Sequence, residues 1–344
     1  MTADTWAPRR LRTAAAAIAA TCAAGLLSAA VQGLGSARDR RRFPPPGRMV
    51  DVGGRRLHLL EAGAGPPTLV VVPALGENLL GWVRIQRELA AEMRVVLYDR
   101  AGTGWSDPPP RGRRSPVDIA DELHGLLRAA GIAPPYVLAA HSMGGVIARA
   151  FAARYAAEVA GLVLVDSSHE NQASRRRQLF GWAGGRVYYQ RMALRRRASV
   201  LGLRRLAAAA GRVPDLDADI ARATLPEYAA AARAIALSTR QRRASVREIL
   251  VMAGLSSTPP DLGDIPLTVV TAGQVPYRGW VAMQEEIAGL STSSTRITAE
   301  GSGHYVQLDD PELVLRVIRD MARKSAPHPA DARDLQSRHD ASQV

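Results

Sequence analysis

Residues 136–145 have the sequence Tyr-Val-Leu-Ala-Ala-His-Ser-Met-Gly-Gly, which is the most informative segment of the chain for its fold. The apolar residues 136–140 predict a short buried strand, and a helix is expected to begin at Gly144. A serine at a tight turn from a strand into a helix has a strained backbone, which small neighbours allow to form. The hydroxyl of Ser142 then projects at the carboxyl edge of the sheet, beside a helix N-terminus. The pattern is G-x-S-x-G with Ala140 in place of the first glycine.

Short apolar runs before and after this turn predict the remaining strands of one sheet. They are separated by amphipathic segments, which predict helices. Strands that are buried on both faces and joined by helices indicate a mostly parallel, twisted sheet with helices on both sides. The fold class is therefore α/β. The predicted strands cover residues 56–61, 68–72, 94–98, 136–140, 162–165, 267–271 and 295–299, and the predicted helices cover residues 116–130, 144–155, 280–288 and 311–323.

The alternation of strands and helices stops after the predicted strand at 162–165. Residues 169–258 predict several arginine-rich helices, among them 190–210 and 226–255, inserted between two strands. The tail has no periodicity and is expected to be disordered. The chain is therefore divided into an N-terminal segment with a Pro-rich linker (1–47), a core (48–168 and 259–324), a helical insertion (169–258) and a tail (325–344).

A nucleophilic serine needs a general base, and the chain has seven histidines. His304 follows the last predicted strand and precedes the last predicted helix, which places it at the same sheet edge as Ser142. We therefore predict His304 as the base. The other histidines lie within a strand, on a helix, beside the serine, at the start of the insertion or in the tail: His58, His124, His141, His169, His328 and His339.

Taken together, these motifs resemble the α/β-hydrolase superfamily over about residues 48–323. The resemblance rests on the turn at 140–145, the loop at 98–107, the strand at 161–166 and the histidine loop at 301–304. It implies the α/β-hydrolase fold, with the insertion as a helical cap over the active site after the sixth strand. It also implies acyl transfer by the serine.

The resemblance also implies a catalytic triad, in which an acid orients the histidine. Most members of the superfamily carry this acid after the seventh strand, but residues 271–277 contain no carboxylate. Some members place it after the sixth strand, where Asp166 stands. The acid must lie at the same sheet edge as the histidine that it orients, and Asp166 meets that condition. Glu170 is the alternative acid, and a turn-capping role is the structural alternative for Asp166.

The resemblance also implies an oxyanion hole made of two backbone N–H groups. The superfamily's His-Gly loop after the third strand is replaced here by Pro-Ala-Leu-Gly at 73–76. Because the donor in that loop is a backbone group, the side chain can change without removing it. We predict the N–H groups of Leu75 and Met143 as the two donors.

The N-terminal segment suggests a membrane anchor. Residues 13–35 contain no charged side chain and follow an arginine cluster, and their length suits one membrane-spanning helix of about 20 residues. We expect a single-pass N-terminal helix in the cell membrane. A cleaved signal peptide, which would give a secreted protein, and a soluble Ala-rich helix are the alternatives. Arginines at 38–42 leave the orientation open.

Composition narrows the function further. The single Cys22 excludes an internal disulfide and a thiolate metal cluster. The net charge of +13 is concentrated in the N-terminal segment and the insertion, whereas the core is neutral or acidic, which argues against nucleic-acid binding. No zinc-ligand motif, P-loop or dinucleotide fingerprint occurs, so we expect neither a metal nor a cofactor.

The sequence thus predicts a serine hydrolase, of the carboxylesterase or lipase type, that cleaves an ester or related acyl bond of an apolar small molecule or lipid. A perhydrolase or acyltransferase with the same triad, and a non-catalytic binding or scaffold protein of this fold, are the alternatives. The cap is expected to present either a basic, partly apolar surface to anionic lipid or merely solvated helices. The apolar residues of that surface are Leu179, Phe180, Trp182, Tyr188, Tyr189 and Leu194.

Overall fold

In the part of the chain that the structure describes, a sheet of eight strands forms the centre of the protein. The computed structural model describes residues 6–175, 202–213, 221–274 and 279–325. The strands are β1 (Arg48–Asp51), β2 (Arg56–Ala62), β3 (Thr68–Val72), β4 (Val95–Tyr98), β5 (Tyr136–His141), β6 (Val159–Val165), β7 (Leu267–Ala272) and β8 (Ser294–Ala299). Their order is β1-β2-β4-β3-β5-β6-β7-β8. Strands β1, β2 and β4 pair antiparallel and all other pairs are parallel, which confirms the predicted sheet.

Helices cover both faces of this sheet. Alternate side chains of a strand point to opposite faces, so Val70 and Val72 of β3 pack in one core cluster and Leu69 and Val71 in the other. The helices are α1 (Trp6–Arg42), α2 (Val83–Leu89), α3 (Pro116–Ala129), α4 (Met143–Arg154), α5 (Leu203–Ala209), α6 (Ala229–Ala236), α7 (Thr239–Ala253), α8 (Trp280–Ala288), α9 (Val306–Asp309) and α10 (Pro311–Ser325). Helices α3, α4 and α8 cover the first face, and α2 and α10 cover the second.

The N-terminal helix α1 is longer than the uncharged stretch and packs on the cap through polar side chains. Gln32 is buried, and its amide donates to the carbonyl oxygen of Leu237 at 2.9 Å. Arg205 of α5 forms an ion pair with Asp39 at 2.6 Å. Among the helices of the described ranges, none combines the length and the apolar character that a membrane crossing requires.

Several predicted bounds differ from the structure, and one strand was not predicted. The helix predicted at 226–255 is two helices, because the hydroxyl of Ser238 accepts from the backbone N–H of Gln241 and so caps the start of α7. The predicted tail begins one residue later, since Ser325 is the last residue of α10. Strand β1 was not predicted, because only one of its four residues is buried and its pattern is weak.

Two other predictions fall on residues that the structure does not describe. Most of the helix predicted at 190–210 lies outside the described residues, which resume with α5. The tail at 326–344 also lies outside them.

Candidate active site

Ser142 occupies the turn between β5 and α4. Its φ of 52° lies in the left-handed region, which a residue other than glycine adopts only under strain. Two glycines let this turn pack closely. A Cβ atom on Gly144 would lie 2.1 Å from the carbonyl oxygen of Val72, and one on Gly145 would lie 1.9 Å from the Oγ of Ser167. Neither position accepts a side chain unless its neighbour moves.

His304 lies in the loop between β8 and α9, at the carboxyl edge of the sheet where β5 also ends. Its Nε2 is 3.0 Å from the Oγ of Ser142. Its Nδ1 is 2.6 Å from the Oδ2 of Asp166. The imidazole is about one-third exposed, whereas the carboxylate is fully buried. The structure therefore brings the predicted nucleophile, base and acid into one hydrogen-bonded chain.

Asp166 follows β6 directly and also has a left-handed backbone, with a φ of 42°. Its Oδ1 accepts hydrogen bonds from the backbone N–H of Ala272 at 3.0 Å and from the indole N–H of Trp280 at 2.8 Å. Its Oδ2 is left for His304. Three N–H donors thus hold the carboxylate in one orientation and compensate for its burial. This geometry fits a residue that orients the imidazole better than a simple turn cap.

The alternative acid, Glu170, has a different partner. The guanidinium of Arg149 donates to its Oε1 at 3.0 and 2.8 Å, and both side chains are buried. Burial lowers the pKa of Arg149, and the carboxylate of Glu170 opposes that effect. Arg149 also donates to the Oγ of Ser167 and the carbonyl oxygen of Ser168, each at 2.8 Å. Glu170 therefore takes part in fixing the loop that follows Asp166.

The two predicted oxyanion donors lie at neighbouring backbone segments. Met143 is the first residue of α4, so its N–H has no acceptor within the helix. The close approach of Gly144 to the carbonyl oxygens of Val72 and Pro73 sets this helix end against the loop that carries Leu75. Within the described part of the chain, neither predicted N–H donates a hydrogen bond.

His141, which the sequence offered only as a rejected candidate base, supports the histidine loop instead. It is buried, and its Nε2 donates to the carbonyl oxygen of His304 at 2.8 Å. Its Nδ1 accepts from the amide of Gln307 at 3.2 Å and lies 3.7 Å from Glu77. Burial raises the pKa of Glu77, but His141 and the N–H of Ala74 outweigh this effect, and the pKa lies below its usual value.

Sequence reasoning did not single out Trp280 or Gln307. Both were placed in or near predicted helices, and no local pattern connects them to residues more than a hundred positions away. Their contacts arise only when the loops after β6, β7 and β8 meet at one edge of the sheet.

An open cavity of about 510 Å³ lies beside the imidazole of His304. Its lining includes Arg222, Gln274, Tyr305 and Asp309, so its described walls are largely polar. No group of three or more histidine, cysteine, aspartate or glutamate side chains in the described residues is arranged to hold a metal ion. The proposed apolar surface of the cap, from Leu179 to Leu194, and residues 275–278 after β7 lie outside the described residues.

Comparison with protein families gives a match over most of the chain. Residues 67–311 match the family model described as alpha/beta hydrolase fold. The uncharacterized protein YqjL of Bacillus subtilis is 24% identical over 264 residues, which cover 75% of this chain and 85% of YqjL. An AB hydrolase superfamily protein of Gibberella zeae is 33% identical over 107 residues, 30% of this chain and 33% of that protein. The chain spans only 18% and 15% of the length of two further curated relatives.

Solved structures show the same architecture. A thermophilic esterase from Thermogutta terrifontis has 26% sequence identity and a TM-score of 0.58, and the match covers 81% of this chain and 98% of the esterase. The enol-lactonase from Burkholderia xenovorans, at 20% identity, has a TM-score of 0.59 and a match that covers 80% and 99% of the two chains. The second likeness concerns the fold alone.

Proposed function

The chain belongs to the alpha/beta hydrolase fold family, and on that premise we propose that it is a serine hydrolase that cleaves a carboxylic ester or related acyl bond through an acyl-enzyme. The observation that carries this proposal is the hydrogen-bonded chain from Ser142 through His304 to Asp166. The similarity to a thermophilic esterase adds support for an ester as substrate.

In the proposed reaction, Nε2 of His304 accepts the proton of Ser142 while the Oγ attacks the acyl carbon. The carbonyl oxygen gains negative charge, which the N–H groups of Leu75 and Met143 stabilise at the N-terminus of α4. The imidazolium then donates its proton to the leaving alcohol, and an ester of Ser142 remains. A water molecule, deprotonated by His304, releases the acid in a second step of the same form.

Asp166 serves both half-reactions without exchanging a proton. Its carboxylate accepts the Nδ1–H of His304, which keeps Nε2 free to accept a proton from Ser142. The same negative charge stabilises the imidazolium that forms next. Because Ala272 and Trp280 hold the other oxygen, the carboxylate keeps its orientation through the cycle.

The substrate class follows from the sequence and stays a proposal: an apolar small-molecule ester or a lipid. An alcohol or hydrogen peroxide in place of water would make the same acyl-enzyme an acyltransferase or a perhydrolase, so the acceptor must be measured as well as the donor. A non-catalytic protein of this fold would keep the site without turnover.

Two measurements test the proposal. A fluorophosphonate probe should label the wild type and not Ser142→Ala, and short-chain p-nitrophenyl esters should be hydrolysed only by the wild type. Product analysis with added alcohol or peroxide then identifies the preferred acceptor. Absence of both labelling and turnover would favour the non-catalytic alternative, and turnover that persists in Ser142→Ala would exclude the serine mechanism.

We also propose that α1 attaches the protein to the cell membrane. Leu26, Leu27 and Leu34 are 69–73% exposed on this helix, although its polar side packs on the cap through Gln32. Fractionation of cells that express the full chain should place it with the membranes, and replacing these leucines with glutamine should release it. Recovery of both forms in the soluble fraction would contradict the proposal. Sequencing the N-terminus of the purified protein distinguishes a retained helix from a cleaved signal.

A further inference from the structure

Hydrogen bonds hold most of the backbone N–H and carbonyl groups of the loop after β3, residues 73–77. The guanidinium of Arg100 donates to the carbonyl oxygens of Pro73 and Ala74, each at 2.5 Å. The N–H of Ala74 donates to the Oε2 of Glu77 at 2.7 Å. The N–H of Leu75 is the donor that these contacts leave free, which suits it to receive an oxyanion.

The remaining bonds to this loop come from the cap. The N–H of Gly76 donates to the Oε2 of Glu248 at 2.6 Å, and the carbonyl oxygen of Gly76 accepts from the amide of Gln241 at 2.7 Å. Gly76 has a φ of +67°, and a Cβ there would lie 2.7 Å from the Oγ of Ser245. The backbone on the C-terminal side of Leu75 therefore packs directly against the cap helix.

These three cap residues lie on one face of α7. Gln241, Ser245 and Glu248 are spaced four and three residues apart, the spacing that aligns side chains along a helix. Gln241 also accepts from the N–H of Gly104 at 2.8 Å, which connects the same face to the loop after β4. A movement of α7 would thus move both side chains that bind the backbone of Gly76, those of Gln241 and Glu248.

Glu248 joins this face to the other side of the loop. Its Oε1 accepts from the Nε of Arg100 at 2.8 Å, so one carboxylate binds both Gly76 and the guanidinium that holds Pro73 and Ala74. Glu248 and Arg100 are both buried. Burial alone lowers the pKa of Arg100, but the carboxylate of Glu248 outweighs it and raises that pKa above its ordinary value. The guanidinium therefore stays charged, and charge-assisted hydrogen bonds of this kind hold geometry well.

We propose that helix α7 sets the position of the Leu75 N–H through Glu248 and Gln241, which are positioning residues for the oxyanion hole. The cap then does more than cover the active site, because its packing on the core also positions one donor of the oxyanion hole. This inference rests on the proposed serine hydrolase function for its catalytic consequence, whereas the link between cap and loop can be measured without turnover.

The test compares Glu248→Gln with Glu227→Gln. Glu227 serves as the surface control, since it also joins the cap to an arginine of the core, Arg87 of α2, but is exposed and does not touch the loop. The amide-exchange rate of the peptide that contains Gly76 should rise in Glu248→Gln and stay unchanged in Glu227→Gln. If Glu248→Gln does not fold, Gln241→Ala provides the same comparison.

Kinetics give the second readout. For p-nitrophenyl acetate, Glu248→Gln should lower kcat about 10- to 100-fold with little change in KM, because complete loss of one oxyanion donor costs about 10²–10³-fold. Inhibition by phenylboronic acid, whose anionic tetrahedral adduct with serine places a hydroxyl oxygen in the oxyanion hole, should weaken in parallel. If Glu248 had only a structural role, its replacement would neither weaken inhibition by phenylboronic acid nor lower kcat while leaving KM nearly unchanged.

The outcomes separate the two proposals. If exchange and kinetics in Glu248→Gln match those of Glu227→Gln while turnover depends on Ser142, the positioning role is wrong and the hydrolase function stands. If exchange rises but no variant turns over any ester, the proposed function fails and the link between cap and loop stands.

Discussion

Replacing Asp166 with asparagine tests the acid of the proposed triad, which lies after the sixth strand and not after the seventh. The substitution keeps the size of the side chain and changes one oxygen into an NH₂ group. In the wild type, Oδ1 accepts two hydrogen bonds, from the backbone of Ala272 and the indole of Trp280, while Oδ2 accepts one from His304. The asparagine oxygen is therefore expected at the Oδ1 position, since the opposite orientation would set an NH₂ group against two donors.

This orientation of the asparagine reverses the tautomer of His304. The NH₂ group of the asparagine would donate to Nδ1 of His304, which must then carry its proton on Nε2. The Nε2–H would point at the Oγ of Ser142, 3.0 Å away, and could not accept its proton. A triad acid changed in this way costs about 10⁴-fold in kcat, or about 5 kcal/mol of transition-state stabilisation.

The assay is the hydrolysis of p-nitrophenyl acetate, with Glu170→Gln as the control. Glu170→Gln disturbs the ion pair with Arg149 and should lower thermal stability, but its kcat should stay within about tenfold of the wild type. Circular dichroism verifies that both variants are folded. A kcat for Asp166→Asn within tenfold of the wild type, together with a collapse in Glu170→Gln, would refute the assignment and transfer the role to Glu170.

The remaining predictions concern packing and pH. Gly144→Ala should lower the free energy of unfolding by about 3 kcal/mol, and Tm by about 6–12 °C, because its Cβ would lie 2.1 Å from a backbone oxygen. Gly33→Ala is the control, since its Cβ would have no atom within 4 Å. An unchanged Tm in Gly144→Ala would contradict the close packing of this turn. Burial lowers the pKa of His169, so the unfolded chain binds a proton that the folded chain releases, and stability should fall as the pH drops below about 6.5. Urea titrations at pH 7 and 5.5 give the loss of unfolding free energy between the two pH values, and His169→Gln should reduce that loss. An equal loss in the wild type and the variant would exclude His169 as its cause.

The parts of the fold that could be predicted are those whose signal is local. A strand buried on both faces is a short apolar run wherever it lies in the sheet, and β3 and β5 were predicted within one residue of their bounds. The strand-turn-helix unit around Ser142 was equally visible, because its two glycines lie two and three residues after the serine. The placement of His304 at the same sheet edge as Ser142 followed from the rule that parallel strands present their carboxyl ends at one edge, whereas the choice of Asp166 also needed the resemblance to superfamily members that carry the acid after the sixth strand.

The parts that could not be predicted depend on contacts between distant segments. Arg100 and Glu248 are 148 residues apart, and nothing around either one indicates the ion pair that forms when α7 packs on the core. The end of α6 was hidden by the Ala-rich composition of residues 229–236, which continues the helical pattern up to the cap at Ser238. Such contacts need the tertiary fold before they can be recognised.

The missing carboxylate after β7 is the strongest argument for a protein without turnover, and the geometry of Asp166 weakens that argument. Strands β6 and β7 are parallel neighbours, and the backbone N–H of Asp166 donates to the carbonyl oxygen of Val270 at 2.7 Å. Its side chain reaches the N–H of Ala272, so the carboxylate from β6 already stands at the end of β7. A second acid there would face a like charge in a buried site, which disfavours ionisation of both. Gly273 could not carry one in any case, because its Cβ would lie 2.4 Å from the carbonyl oxygen of Glu300.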